Sequence, residues 1–353
     1  MNPNYDRFTP PPTSRSADAF RTAPDMAAVR TPPHAPADPA APHPRRRGPR
    51  PLPPGVEYHR VLAGEKRRIG RGILAIVLLV AGMFVFSFII AQAAASIDTR
   101  MGRTNPTLGG TDFTPLYQGA GLFSVALLIP WSMLIQRWLY GVRGASTHSV
   151  VSRFRLDVFG RALLFIGPVW LVNSVFLAVA MPGKQTYWSF ADLVGMVAVT
   201  LLLTPVQAAG EEYGFRGLVF RVAGSWGRGP RTALIIGVLT SSLVFMAVHL
   251  STDPWLNLWY FTLGAGPAVI TWRTGGIETG VVVHALNNTL SLLLATAVHV
   301  DLVAPLLDRS AGAGSTALLI PCLTLVSITA VVWLRTRTTG PALTPVDPRS
   351  VRV

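Results

Sequence analysis

A helix needs roughly 20 apolar residues to cross about 30 Å of hydrocarbon, and runs of that length recur along this chain. They fall at about 72–95, 117–140, 161–181, 192–213, 232–252, 255–272, 277–298 and 314–334. Lipid offers no partner for an unpaired backbone N–H or C=O, so a chain patterned this way must satisfy its backbone within helices. The expected fold class is therefore all-α, a polytopic transmembrane helical bundle of about eight spans, covering residues 59–338. With 50% hydrophobic and 14% charged residues, the composition excludes an ordinary soluble domain.

A formal charge of +14 would point to nucleic acid in a soluble chain. Here the positions of the charges exclude that partner. Lys66, Arg67, Arg68 and Arg71 precede the first run, and Arg143, Arg153, Arg155 and Arg161 separate the second from the third. Arg221, Arg228 and Arg231 follow the fourth, Arg273 follows the sixth, and Arg335 and Arg337 follow the eighth. The alternate connections hold Asp98, Asp112, Asp253, Asp301 and Asp308. Under the positive-inside rule both termini are expected in the cytoplasm, with the lipid bilayer of a bacterial plasma membrane as the surroundings. Residues 1–58 are rich in proline and carry a basic cluster at Arg45, Arg46, Arg47 and Arg50. They have no apolar period, so a disordered cytoplasmic tail is expected there, with a short C-terminal tail at 339–353. The single cysteine, Cys322, lies in an apolar run and is expected to be a small core- or lipid-facing residue.

Ionisable groups at membrane depth cost about 2.5 to 3.5 kcal/mol on insertion scales, so those that persist are candidates for function. The fourth run continues into Gly210-Glu211-Glu212-Tyr213-Gly214-Phe215-Arg216. Glu212 and Arg216 are four apart and meet on one helix face, whereas Glu211 is turned about 100° away and left free for substrate or water. The fifth run ends Phe245-Met246-Ala247-Val248-His249, and the seventh contains His284-Ala285-Leu286-Asn287-Asn288. His284 and Asn288 share a face. Asp253 precedes Pro254 and reads as a turn residue rather than a partner of His249.

These three motifs, Glu-Glu-x-x-x-Arg, then Phe-x-x-x-His, then His-Ala-x-x-Asn, occur on successive spans at Glu211, Glu212, Arg216, Phe245, His249, His284, Ala285 and Asn288. In that order they resemble the CAAX protease and bacteriocin-processing family, which includes the type II CAAX prenyl endopeptidase. The resemblance covers about residues 190–295. It implies an intramembrane endopeptidase acting on a peptide or protein substrate at the membrane. Glu211 and His249 would activate water, His284 and Asn288 would form the oxyanion hole, and Glu212, Arg216 and Phe245 would support them. A carboxylate with imidazole and amide donors suits that chemistry. Glu211, His249 and His284 are also a donor set for a divalent metal such as zinc, although no His-Glu-x-x-His is present. The chemistry is thus open between a glutamate-type and a metal-dependent protease, with no cofactor required by the sequence.

A serine mechanism lacks its Gly-x-Ser-x-Gly. A transporter would show an internal repeat and polar residues in both halves. The rival from another class is a non-catalytic membrane scaffold or immunity protein that keeps the pocket to bind a peptide. Counted at 1.5 Å per residue, His284 and His249 reach one level only when the hairpin joining the fourth and fifth helices projects by about 10 Å. That argument places the expected cavity beneath the Gly224–Arg231 turn, on the cytoplasmic side.

Overall fold

The computed structural model describes residues 48–303 and 307–346, and all that follows concerns those residues. They form a helical bundle: α1 (Ile69–Arg100), α2 (Pro115–Ala126), α3 (Leu128–Tyr140), α4 (Leu156–Ala180), α5 (Phe190–Glu211), a π-helical segment (Glu212–Val219), α6 (Phe220–Gly224), α7 (Pro230–Ala247), α8 (Pro254–Thr274), α9 (Glu278–Ala297) and α10 (Leu319–Thr336). Among the described residues there is no strand, only isolated backbone bridges such as Arg50 with Val142 and Glu57 with Leu343.

Local chemistry accounts for the boundaries. Prolines open α2, α7 and α8 at a position where the missing N–H costs nothing. Thr114, Ser189 and Asp253 cap α2, α5 and α8 by accepting backbone N–H groups. The second apolar run is split at Leu127 into α2 and α3, just ahead of Pro130, which cannot supply its own backbone hydrogen bond. Gly275 closes α8 in the left-handed conformation that a glycine adopts without penalty.

Seven helical segments are long and apolar enough to cross a membrane: α1, α2 with α3, α4, α5 continued through α6, α7, α9 and 316–336. The sixth expected run, 255–272, forms α8, which has 21 residues but is less apolar. Packed against α7, α9 and α10, it buries Trp259, Tyr260, Leu263 and Ala268, so it has less need of a lipid-compatible surface. The outer helices show the opposite pattern: Phe88 on α1, Leu164, Phe165 and Val172 on α4 and Val326 on α10 all face outward, as a hydrocarbon solvent requires.

The helices run between two ends held by different loops. At one end the loops pack tightly: Arg50 N–H donates to Gly141 O, Tyr58 Oη to Thr147 O, Val150 N–H to Gly275 O and Ala342 N–H to Arg273 O. Arg155 there grips Glu278 through two bonds of 2.7 and 2.8 Å. At the other end Asn105 and Thr114 donate to Asp98, Asp301 N–H to Lys184 O, and Thr252 N–H to Arg309 O.

The N-terminal tail was expected to run to residue 58. Residues 1–47 lie outside the described residues, whereas 48–58 are fixed to the bundle. Gly55 N–H donates to Thr344 O, Thr344 N–H returns to Val56 O, and Trp272 Nε1 donates to Glu57. Backbone pairing between segments distant in sequence has no periodic signature, which is why composition alone extended the tail. The same pairing holds 342–344 of the expected C-terminal tail, while 347–353 lie outside the described residues.

Candidate active site

The site begins where α5 gives way to the π-helical segment. All eight residues from Glu212 to Val219 are buried, and the wider i→i+5 turn continues the rod without a break to Gly224. The whole stretch, Phe190–Gly224, has 35 residues and at about 1.5 Å each exceeds a hydrocarbon core of about 30 Å. Two close approaches fix its neighbours. A Cβ on Gly210 would lie 2.3 Å from the Val125 carbonyl oxygen, so only glycine lets α5 touch the α2–α3 junction. A Cβ on Gly280 would lie 2.9 Å from Glu212 Oε2, so α9 leaves room for the buried carboxylate by lacking a side chain there.

His284 of α9 lies between the two glutamates. Its Nε2 is 3.0 Å from Glu211 Oε2 and its Nδ1 is 2.8 Å from Glu212 Oε1. Arg216 Nη2 meets the same Glu212 oxygen at 3.1 Å and also donates to Leu263 O, while its guanidinium lies 4.5 Å over the Phe245 ring. The pairing of Glu212 with Arg216 follows the four-residue spacing. The reading of Glu211 as a carboxylate left free does not hold, because one imidazole presents opposite edges to two diverging neighbours. An imidazole donates from both nitrogens only as imidazolium, and in that form the four groups carry two negative and two positive charges. Such balance is what a water-poor interior tolerates, and removing Glu212, which meets both cations, leaves the buried Arg216 without its partner.

His249 closes the fifth-run motif. Its Nδ1 lies 2.7 Å from Phe245 O, and its ring stacks on Tyr260 with centroids 3.9 Å apart. With Nδ1–H donating to that carbonyl, Nε2 is left as the basic nitrogen. Asn288 Nδ2 donates to Gln207 Oε1 at 3.0 Å and its Oδ1 accepts from Asn287. Gln207, Tyr260 and Asn287 are additions to the residues read from sequence. Gln207 had a signal, being a polar residue four before Glu211 in an apolar run; Tyr260 had none, because stacking across helices is not encoded in spacing. Asp253 caps α8 and accepts from Gly312 N–H, as its turn reading implied.

Glu211, His249, His284 and Asn288 line one cavity of about 680 Å³, together with Gln207 and Tyr260. The cavity does not lie beneath the Gly224–Arg231 turn. Phe215, Leu218, Val219, Phe220, Val222 and Ala223 occupy the space beneath it, each wholly buried. Residues of the connecting segments that line the cavity, Thr107, Leu307 and Arg309, belong to the opposite end of the bundle.

Metal binding at the proposed set can be tested against these contacts. His284 has both nitrogens directed at carboxylates and none turned to a shared centre with His249. Among the described residues no group of three or more His, Cys, Asp or Glu side chains is arranged to hold a metal ion. The expected set of Glu211, His249 and His284 therefore does not fit one as placed.

Residues 190–290 match the family model described as Type II CAAX prenyl endopeptidase Rce1-like. Over this segment the chain is similar to that family. The matched residues run from the start of α5 into α9 and contain all the motif residues. A curated relative, "Uncharacterized protein YyaK" of Bacillus subtilis (strain 168), is 30% identical over 105 residues, which is 29% of this chain and 35% of that protein. The chain thus spans about a third of that relative's length. No solved structure matches the chain.

Proposed function

We propose that the cavity is the active site of an intramembrane endopeptidase that hydrolyses a peptide bond of a membrane-associated peptide or protein. The observation that carries this reading is the convergence of Glu211, His249, His284 and Asn288, from α5, the end of α7 and α9, on one cavity deep in an otherwise apolar bundle. Ionisable groups gathered at such depth are retained against a cost of several kcal/mol, and the Rce1-like segment coincides with them.

In this reading a water lies between Glu211 and the basic Nε2 of His249. It loses a proton to that pair as its oxygen attacks the carbonyl carbon of the scissile bond. The carbonyl oxygen becomes an oxyanion that accepts the second N–H of Asn288, the first being held by Gln207. Once Glu211 is protonated it attracts His284 Nε2–H less, which frees that donor for the same oxyanion. The proton then passes to the departing nitrogen as the C–N bond breaks, leaving a carboxylic acid and an amine. No step is assigned to a metal.

The test is cleavage of a peptide library by the purified full chain in detergent, followed by mass spectrometry, with Glu211→Gln as control. Cleavage by the wild-type chain and its loss in the variant is the expected result. A chain that binds peptides and breaks none would be the non-catalytic scaffold instead.

A further inference from the structure

The cavity and the charges lie at opposite ends of the bundle. Arg67, Arg68, Arg143, Arg153, Arg228 and Arg231 belong to the packed end, where the loops at 48–68, 141–155, 225–229 and 275–277 gather. The other end carries Asp98, Asp112, Asp253, Asp301 and Asp308 against Arg100, Arg103, Lys184 and Arg309. Arg103 there is itself matched, 3.3 Å from Asp192 and 3.8 Å from Asp112. Basic loops are retained on the cytoplasmic side during insertion, so the packed end is the cytoplasmic one. The cavity has its loop lining at the other end, and the wholly buried side chains of the π-helical segment and α6 separate it from the basic loops.

We infer that the site is served from the non-cytoplasmic face, and that its substrate is an apolar peptide segment exposed on that face or entering the outer half of the bilayer. The inference rests on the protease reading given above. The lining supports the substrate class: Phe113, Tyr117, Leu256, Trp259 and Leu307 surround the approach to Glu211, with Arg309 the cationic group beside them. Such walls favour an extended apolar chain over a charged one, since each buried unpaired charge costs several kcal/mol. A cytoplasmic segment would have to pass the wholly buried Phe215, Phe220 and Val222 to reach the cavity.

Two measurements in sealed right-side-out bacterial membrane vesicles test this. In a Cys322→Ala background, which removes the single, buried native thiol, Leu108→Cys sits at the cavity end and Arg228→Cys at the basic turn, both exposed. A membrane-impermeant maleimide should label Leu108→Cys in intact vesicles and Arg228→Cys only after detergent. The reverse pattern, or equal labelling of both in intact vesicles, overturns the inference. In the second measurement an impermeant fluorogenic apolar peptide, chosen from the library hits, is added outside the vesicles. Equal rates before and after permeabilisation are expected; cleavage appearing only after permeabilisation overturns the inference. Absence of any cleavage by the purified chain would instead defeat the protease reading, while the labelling would still report which face the cavity meets.

Discussion

At the arginine-rich end Phe215, Leu218, Val219 and Phe220 are wholly buried, and even Arg221 is fully enclosed, donating to Gln136 and Ser146. At the other end the helices part around about 680 Å³ lined by both aromatic and ionisable groups. One end is therefore the close-packed half, as a native interior requires. In the proposed function the other gives up contacts to make room for water and a peptide chain. Glu211 and Glu212 straddle the boundary: Glu212 is wholly buried in the packed half, whereas Glu211 lines the cavity.

That division predicts different fates for two adjacent, chemically identical residues. Glu211→Gln should lower cleavage by about 10² to 10⁴-fold, the usual worth of a positioned proton acceptor, while thermal unfolding in detergent stays close to wild type. Glu212→Gln should destabilise the fold by about 3–5 kcal/mol, because Arg216 and His284 would both lose a buried counter-charge. Identical behaviour of the two variants in both assays would erase the distinction between the halves.

A smaller effect is expected at the seam between them. Gly210→Ala places a methyl against the Val125 carbonyl, so α5 must move away from the α2–α3 junction. A loss of about 1–3 kcal/mol is expected from such overpacking, read as a lowered midpoint of thermal unfolding. A variant as stable as wild type would show that this contact has slack.

On the cavity side, Gln207→Leu removes the acceptor that orients Asn288. Cleavage should fall about five- to tenfold, in keeping with one hydrogen bond of about 1 kcal/mol, and the loss should appear in kcat more than in KM. An effect confined to KM would assign Gln207 to substrate binding instead.

A pH-dependent effect is expected at the packed end. His59 is enclosed beside Phe220, and burial pushes its imidazole down to about 4 from an ordinary value of 6.5. The unfolded chain therefore takes up a proton there before the folded one does. The contribution of a neutral His59 is complete above about pH 6.5 and is lost as the pH falls toward 4. Unfolding midpoints should drop between those values, and His59→Phe should flatten the drop; an unchanged slope in that variant would place the acid sensitivity elsewhere.

Local sequence determined the helices themselves, because apolar run length, proline at first turns and capping residues such as Asp253 all act within a few positions of where they are read. The Glu212–Arg216 pair was legible for the same reason. Its four-residue spacing brings the two together on consecutive turns, although the turn proved to be π-helical. The candidate site residues stood out as polar interruptions of apolar spans, and the structure brings Glu211, His249, His284 and Asn288 to one cavity. Where that cavity opens was decided only by tertiary structure, as was the contact of His284 with both glutamates. A void exists where several helices fail to fill the space between them, and a ring between two carboxylates depends on the relative height and rotation of α5 and α9. Neither quantity is a property of any one segment, so no periodicity along the chain could carry it.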